Sequence, residues 1–339
     1  MRKTLRLALA FTAISLAQAG FALAQDVANF YRGKTVRLIV GFSSGGGYDQ
    51  YGRLLAKHMA RHIPGAPTIV VQNMPGAASL KSVQFLDQGA PADGTTFVTF
   101  NPGLITQSLT VPEKVPVDFR NFAWIGNISE DIRVCFTWGA KGIKDWKDYT
   151  AARQIVYGNT GVGTSAYIEM RMLNEIFGVN LKQVQGYPGS ADKRIAIEQG
   201  ELDGDCGSWT SMPEDWLREH KVNLITRFSK NLAPGLPPSV PYAGDLQPDP
   251  EKRATFELLM AGAEIGRPFL APRNMPADRL TALRAAFDAT MKDPEFLADA
   301  EKQKLLVTPM TGQEVAARIV EIYKAQPSVI ARAKAISGE

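Results

Sequence analysis

After its first 24 residues the chain has no apolar run long enough to span a bilayer as a helix, which excludes a helical membrane span there. It also lacks any real excess of charge. The 38 lysines and arginines face 34 aspartates and glutamates, a formal charge of +4. Three of the basic residues, Arg2, Lys3 and Arg6, lie in the first few positions, and without them 35 stand against 34. That balance gives no electrostatic footprint for nucleic acid. There are three histidines, His58, His62 and His220. His58 and His62 have the i, i+4 spacing of a zinc helix, but Met59 stands where H-E-x-x-H needs glutamate, so a solvated helix face is expected there. There are two cysteines, Cys135 and Cys206, each in a strand-like run. In an oxidising compartment one pair can close a disulfide where strand geometry permits; two buried thiols are the other reading.

The first 24 residues have the form of a secretory signal peptide. A basic start precedes an apolar stretch at residues 7–16, too short to cross a membrane, and Ala22-Leu23-Ala24 is a small-residue cleavage site. No cysteine follows the cleavage point to carry a lipid. The mature chain is therefore expected to be soluble and periplasmic. Its composition, 45% hydrophobic and 21% charged, is that of a globular protein, and its length allows about two domains.

The chain is organised around residues 35–63. Residues 36–40 are an apolar, β-branched run bounded by turn residues, which predicts a buried strand. A loop rich in glycine and serine follows, and then Tyr51, Leu54, Leu55, Met59 and Ile63 recur at helical spacing. A helix start presents unpaired N–H groups and partial positive charge, and Gly45, Gly46 and Gly47 let a ligand approach the backbone, so the loop suits a carboxylate or phosphate. The spacing matches neither G-x-G-x-x-G nor a P-loop, which would need a lysine. Gly41-Phe42-Ser43-Ser44-Gly45 does match the G-x-S-x-G nucleophile elbow.

Strands then alternate with helices. Residues 68–71 and 95–100 read as strands, with a helix at 80–86 between them. This is an α/β pattern with a largely parallel sheet, whose ligands sit outside the carboxyl ends of the strands. The loops at residues 42–49 and 101–103 fall there. The pattern recurs with a strand at 154–157, the loop from Gly158 to Ser165, a helix stopped by Gly178, a strand at 182–184, a helix ended by Gly200 and a strand at 201–206. Thr164 or Ser165 can cap the helix after the loop. Residues 257–263 are apolar enough to predict a return to the sheet. Leu280, Leu283, Phe287 and Met291 mark a late helix, and Thr311-Gly312-Gln313-Glu314 is a capping box before another.

Taken in order, these motifs resemble the Bug receptors, the TctC-like extracytoplasmic solute-binding proteins of tripartite tricarboxylate transporters. Phe42 to Asp49 with Arg53 is similar to that family's first signature, and Asn73-Met74-Pro75-Gly76-Ala77 to its Asn-x-Pro-Gly-Ala turn. Asp93-Gly94, Gly161-Val162-Gly163-Thr164-Ser165, Tyr187-Pro188-Gly189-Ser190 and Ala271-Pro272 with Pro276 fit as well. The chain departs at Gly41, where the family usually has proline; at Ser79, where a second glycine follows the turn; at Gly207, where an aspartate often ends the strand, Asp205 lying two residues earlier; and before Pro272, where a tryptophan is missing.

The resemblance implies a type II periplasmic-binding-protein fold. Residues 25–129 plus 265–339 would form one α/β domain and residues 130–264 the other, joined by two crossing strands and closing on the ligand. It implies a monomeric binding protein with no catalytic role and no cofactor, which delivers a small organic acid to the family's membrane permease. The expected ligand residues are Phe42, Ser43, Ser44, Gly45, Gly46, Gly47 and Asp49 in the first loop and Asn101 and Gly103 in the next. Thr160, Gly161, Gly163, Thr164, Ser165 and Asp205 complete the set. Neutral donors would supply most of the affinity, with Arg53, Lys193 and Arg194 the side chains able to add charge.

Two other readings stand beside this one. An exported α/β-hydrolase would use Ser43 as nucleophile with His220 after Asp203 or Asp205, although His220 lies in a charged run. A sensor receptor would present the same ligand to a partner other than a permease.

Overall fold

The computed structural model describes residues 25–338 apart from 43, 46, 160–163 and 188–189, and leaves the side chains of 190 and 191 undescribed. The signal-peptide reading therefore lies outside the described residues, as do Ser43, Gly46, Thr160, Gly161 and Gly163. In chain order the first half holds α1 (residues 25–31), β1 (Thr35–Val40), α2 (Gly47–Met59), β2 (Thr68–Asn73), α3 (Leu80–Gln88), β3 (Thr96–Thr99), α4 (Gly103–Thr110), β4 (Ala123–Asn127), β5 (Arg133–Trp138), α5 (Trp146–Ala151), β6 (Ile155–Asn159) and α6 (Ser165–Glu175). Then follow β7 (Leu181–Gln185), α7 (Ser190–Glu198), β8 (Gly204–Ser208), α8 (Glu214–Arg218), β9 (Val222–Arg227), α9 (Pro250–Ile265), β10 (Pro268–Ala271), α10 (Ala277–Thr290), α11 (Pro294–Lys302), β11 (Met310–Thr311), α12 (Gly312–Ile322) and α13 (Pro327–Ser337).

The chain divides into two compact units. The first takes in the described residues up to Asn101, Arg120–Ile128 and Arg267–Ala316. Its sheet runs β11-β4-β10-β3-β1-β2. β1 pairs in parallel with both β2 and β3, and Val40 stands beside Asn73 on one side and Thr99 on the other. That shared register puts the turns after all three strands at one edge of the sheet, where parallel sheets carry their sites. The apolar stripe of α2 does what its spacing predicts: Tyr51, Leu54, Leu55 and Met59 are buried with Leu38, Phe97 and Phe269. Each such side chain stabilises the unit by about 1.5–3 kcal/mol.

The two histidines of this segment depart from expectation. His58 is buried, with Nε2 2.8 Å from Asp299 Oδ2, and His62 Nε2 lies 2.7 Å from Asp293 Oδ2. Both acids come from the stretch around α11, whose packing on α2 covers a face that polar residues would otherwise expose. The two histidines dock that helix.

The second unit takes in Pro102–Phe119, Ser129–Gly266 and Ala317 onward. Its sheet runs β7-β6-β8-β5-β9, with β6 parallel to β7 and β8, and β5 antiparallel to β8 and β9. Residues 257–263, expected as a strand, lie inside α9. Asp249 caps that helix by accepting from the Glu251 and Lys252 N–H groups at 2.9 and 3.0 Å, and Pro250 takes its first turn. The cap and proline signal outweighs the local apolar run; the strand that returns to the first sheet is β10. The capping box is real: the Thr311 N–H donates to Glu314 Oε2 at 2.7 Å and the Glu314 N–H to Thr311 Oγ1 at 3.2 Å.

Candidate functional site

In the first unit the loop after β1 is held from below by Asp49, which is 3% exposed. Its Oδ2 accepts from the Gly45 N–H at 2.9 Å and from Arg53 Nε at 2.8 Å, and its Oδ1 from Asn73 Nδ2 at 2.8 Å. Asn73 Nδ2 also donates to the Phe42 carbonyl at 2.9 Å, which ties the loop to the end of β2. Gly45 sits at φ +85°, which a side chain would strain. Asp49 and Arg53, expected near the ligand, thus shape the loop, leaving Ser44, Gly45 and Gly47 exposed. The Phe42 ring stacks on Tyr48 at 4.5 Å between centroids, and the Arg267 guanidinium lies 4.5 Å from the Tyr48 ring centre. Neither Tyr48 nor Arg267 was marked as a site residue by the sequence; the cation–π contact joins positions far apart in the chain.

Burial pushes the Asp49 carboxyl up, but the hydrogen bonds from Arg53, Gly45 and Asn73 outweigh it and hold it down to about 2 from the usual 3.8. A depressed carboxyl stabilises the fold above its unfolded value, and that contribution is lost as pH falls through about 2. Asp49→Asn is therefore expected to lower stability by about 2 kcal/mol at pH 7. In urea unfolding across a pH series, the gap from wild type should narrow between about pH 4 and pH 2. A gap that does not move with pH would show that the charge is not what holds the loop.

Two of the departures from the family pattern meet at this edge. A Cβ on Gly41 would come 2.3 Å from the Cβ of Ser79. The serine side chain thus fills the space that a proline at 41 would need, and each change accommodates the other. Ser79 is fully buried and ends a run of three left-handed residues, Ala77, Ala78 and Ser79. Its Oγ accepts from the Asn101 N–H at 2.8 Å, so Asn101 is positioned by this turn. Gly103 belongs to the second unit, where a Cβ on Gly262 of α9 would come 3.0 Å from its nitrogen. It serves a close helix crossing.

The second unit carries a half-open cavity of about 230 Å³. Thr164 and Ser165 at the start of α6 line it, with Arg133 from β5, Lys193 from α7, and Asp205 and Gly207 from β8. Thr164 caps α6 by accepting from the Tyr167 N–H at 3.4 Å. One turn along the same face, Glu169 holds the Arg133 guanidinium through Nε and, at 2.9 Å, through Nη2. Burial pulls the Arg133 guanidinium down, but Glu169 and Asp131 outweigh it, so it stays charged. Lys193, 4% exposed, donates to Asp205 Oδ2 at 2.5 Å. Burial pushes the Asp205 carboxyl up against the pull of Lys193 and Arg133. Residues two apart on a strand share a face. Asp205 and Gly207 do so here, and a Cβ at 207 would lie 3.9 Å from Asp205 Oδ2. The carboxylate of Asp205 therefore sits beside the place that the family's aspartate would take. Arg133 and Glu169 were missed from sequence; a charged residue opening an apolar strand was the available signal, since buried charges need partners. Cys135 and Cys206 face each other in the β5–β8 register and are joined as a disulfide.

Two mixed α/β units of this kind, each with its own sheet, have the fold of the periplasmic solute-binding proteins. Residues 52–334 match the model of the tripartite tricarboxylate transporter family receptor, TctC, and the chain belongs to that family. The family is one of solute-binding receptors, not enzymes. Among solved structures, a TctC solute-binding protein from Polaromonas is similar with a TM-score of 0.71 at 18% identity, over 90% of this chain and 98% of that one. MatC from Rhodopseudomonas palustris, solved with malate, has a TM-score of 0.59 at 21% identity, over 90% and 99%. An R. palustris protein solved with adipate has a TM-score of 0.61 at 20% identity, over 87% and 97%.

Proposed function

We propose that the protein captures a small carboxylate-bearing organic acid in the periplasm and delivers it to the membrane permease of a tripartite tricarboxylate transporter. The observation that carries this reading is the second-unit cavity, where the start of α6 and the hydroxyls of Thr164 and Ser165 face the basic side chains of Arg133 and Lys193. Hydroxyls and a helix start favour an anion. The exposed backbone at Ser44, Gly45 and Gly47 is proposed as a further contact. The malate and adipate held by two proteins of similar fold support the same class of ligand. Export rests on the signal-like first 24 residues, and the permease on the family.

A ligand that binds only the native state raises its stability by mass action, about 2.7 kcal/mol at one hundred times Kd. A thermal-shift screen over mono-, di- and tricarboxylates, amino acids and aromatic acids is expected to find at least one acid that raises Tm by several degrees. If none does, and native mass spectrometry finds no co-purified acid, the reading fails.

A further inference from the structure

Three cations line the cavity of the second unit, Arg133, Lys193 and Arg194, and they are held in different ways. Arg133 and Lys193 are buried and each is met by a carboxylate of the fold. Arg133 Nη2 lies 2.9 Å from Glu169 Oε2, its Nη1 reaches Asp131 at 3.4 Å, and Lys193 donates to Asp205 Oδ2 at 2.5 Å. Arg194 is half-buried, so solvent and solute can reach it. Its Nη1 donates to a neutral group, the Ser211 carbonyl in the turn after β8, at 2.9 Å. Among the described residues no carboxylate pairs with it. Helix α7 gives no reason of its own for a cation there. Arg194 is the fifth residue of α7, just past the first turn, and near that end the macrodipole favours acids over bases.

We propose that Arg194 is the side chain that pairs with the carboxylate of the solute, while Arg133 and Lys193 stay engaged with Glu169 and Asp205. This rests on the carboxylate reading above and changes where its affinity comes from: a charged side chain, where the sequence led us to expect mostly neutral donors. A guanidinium carries five N–H donors in a planar fork. The Ser211 carbonyl takes one of them and anchors the group at the cavity. The fork that remains suits the two oxygens of a carboxylate, a charge-assisted pairing about twice as strong as a neutral hydrogen bond. Such a contact at a half-buried site is screened in part, so affinity falls as ionic strength rises, which backbone donors alone would not produce to the same degree.

The test is calorimetric titration of the full mature protein and of two variants, Arg194→Gln and Arg194→Lys. The probes are malate, adipate and benzoate, with any further acid that stabilises the wild type in the screen above. Each titration is run at roughly 20 and 300 mM sodium chloride, which spans weak and strong screening. Arg194→Gln keeps a donor for the Ser211 carbonyl and removes the charge. It is expected to weaken binding at low salt by about tenfold or more, the scale of a charged hydrogen bond. The affinity that remains should no longer fall with salt, and the unliganded Tm should not move. Arg194→Lys keeps the charge without the fork and is expected to recover part of the loss. Binding by Arg194→Gln within about twofold of wild type overturns the inference. So does a loss that keeps the wild-type salt dependence, or one that lysine does not relieve, because a broken clamp on the Ser211 turn would behave that way. Each of these outcomes leaves the carboxylate reading standing, whereas failure of every acid to bind the wild type overturns both. Where Arg194→Gln does not fold, the wild type decides: an affinity that does not fall between the two salt levels overturns the inference.

Discussion

Replacing Glu169 with alanine is expected to lower the stability of the protein by about 3–5 kcal/mol, the usual effect of removing one member of a buried ion pair. The Glu169 side chain is 2% exposed and that of Arg133 is 11% exposed. Without Glu169 the guanidinium would keep Asp131, 3.4 Å from Nη1 and at the limit of a useful contact, and the charge of Asp205, which Lys193 already engages. The bare guanidinium cannot neutralise, because arginine holds its proton at any accessible pH. It must recruit water or draw β5 and α6 apart. Both routes disturb the start of α6, since Glu169 and Ser165 lie one turn apart on that helix. Solvent denaturation should therefore show a lower midpoint and acid binding should weaken, while Glu169→Gln, which keeps the shape and one acceptor, should lose less of both. A loss below about 1 kcal/mol for the alanine variant would place the pair in the ordinary range of surface salt bridges.

Much of this architecture was legible in the sequence because its elements carry short-range signals. The β1 run, the glycine loop and the stripe of Tyr51, Leu54, Leu55 and Met59 specify strand, turn and helix from neighbouring residues alone. So do the Gly178 stop and the Thr311–Glu314 box. The failures share a physical cause. The segment at 257–263 is apolar enough for a strand, yet the cap at Asp249 and Pro250 nucleates a helix that runs through it. His58 and His62 look solvent-facing until the stretch around α11 brings Asp293 and Asp299 across from far along the chain. The candidate site divides in the same way. The exposed loop backbone and the Thr164 cap were readable, whereas the roles of Asp49, Arg133, Lys193 and Asp205 depend on partners fixed by the fold. Asp49 shows the point most directly: a carboxylate in a glycine loop reads as a ligand contact, and its three hydrogen-bond donors make it a support for the loop.

Converting both Cys135 and Cys206 to alanine is expected to lower stability by about 2–4 kcal/mol. The two residues are fully buried, pair directly across β5 and β8, and are 71 positions apart in the chain. Chain-entropy reasoning puts the constraint on the unfolded state near 4 kcal/mol for a closed loop of that size, with measured values falling short when the native bond is strained. The ladder between β5 and β8 survives without the bond, so the second unit is expected to fold but to unfold at lower denaturant. The bond also lies beside the chemistry. Cys206 follows Asp205 directly, and Cys135 lies two residues beyond Arg133, so the link fixes the spacing of the strands that carry both groups. Thiol titration of the unreduced protein under denaturing conditions should find no free thiol, and after reduction it should find both. The double variant should lose acid affinity along with its lower midpoint, because a looser β5–β8 pair lets Arg133 and Asp205 shift relative to each other. An unchanged midpoint would mean that the strands are held as firmly by their ladder and the apolar residues around them, and that the disulfide adds nothing the packing does not already supply.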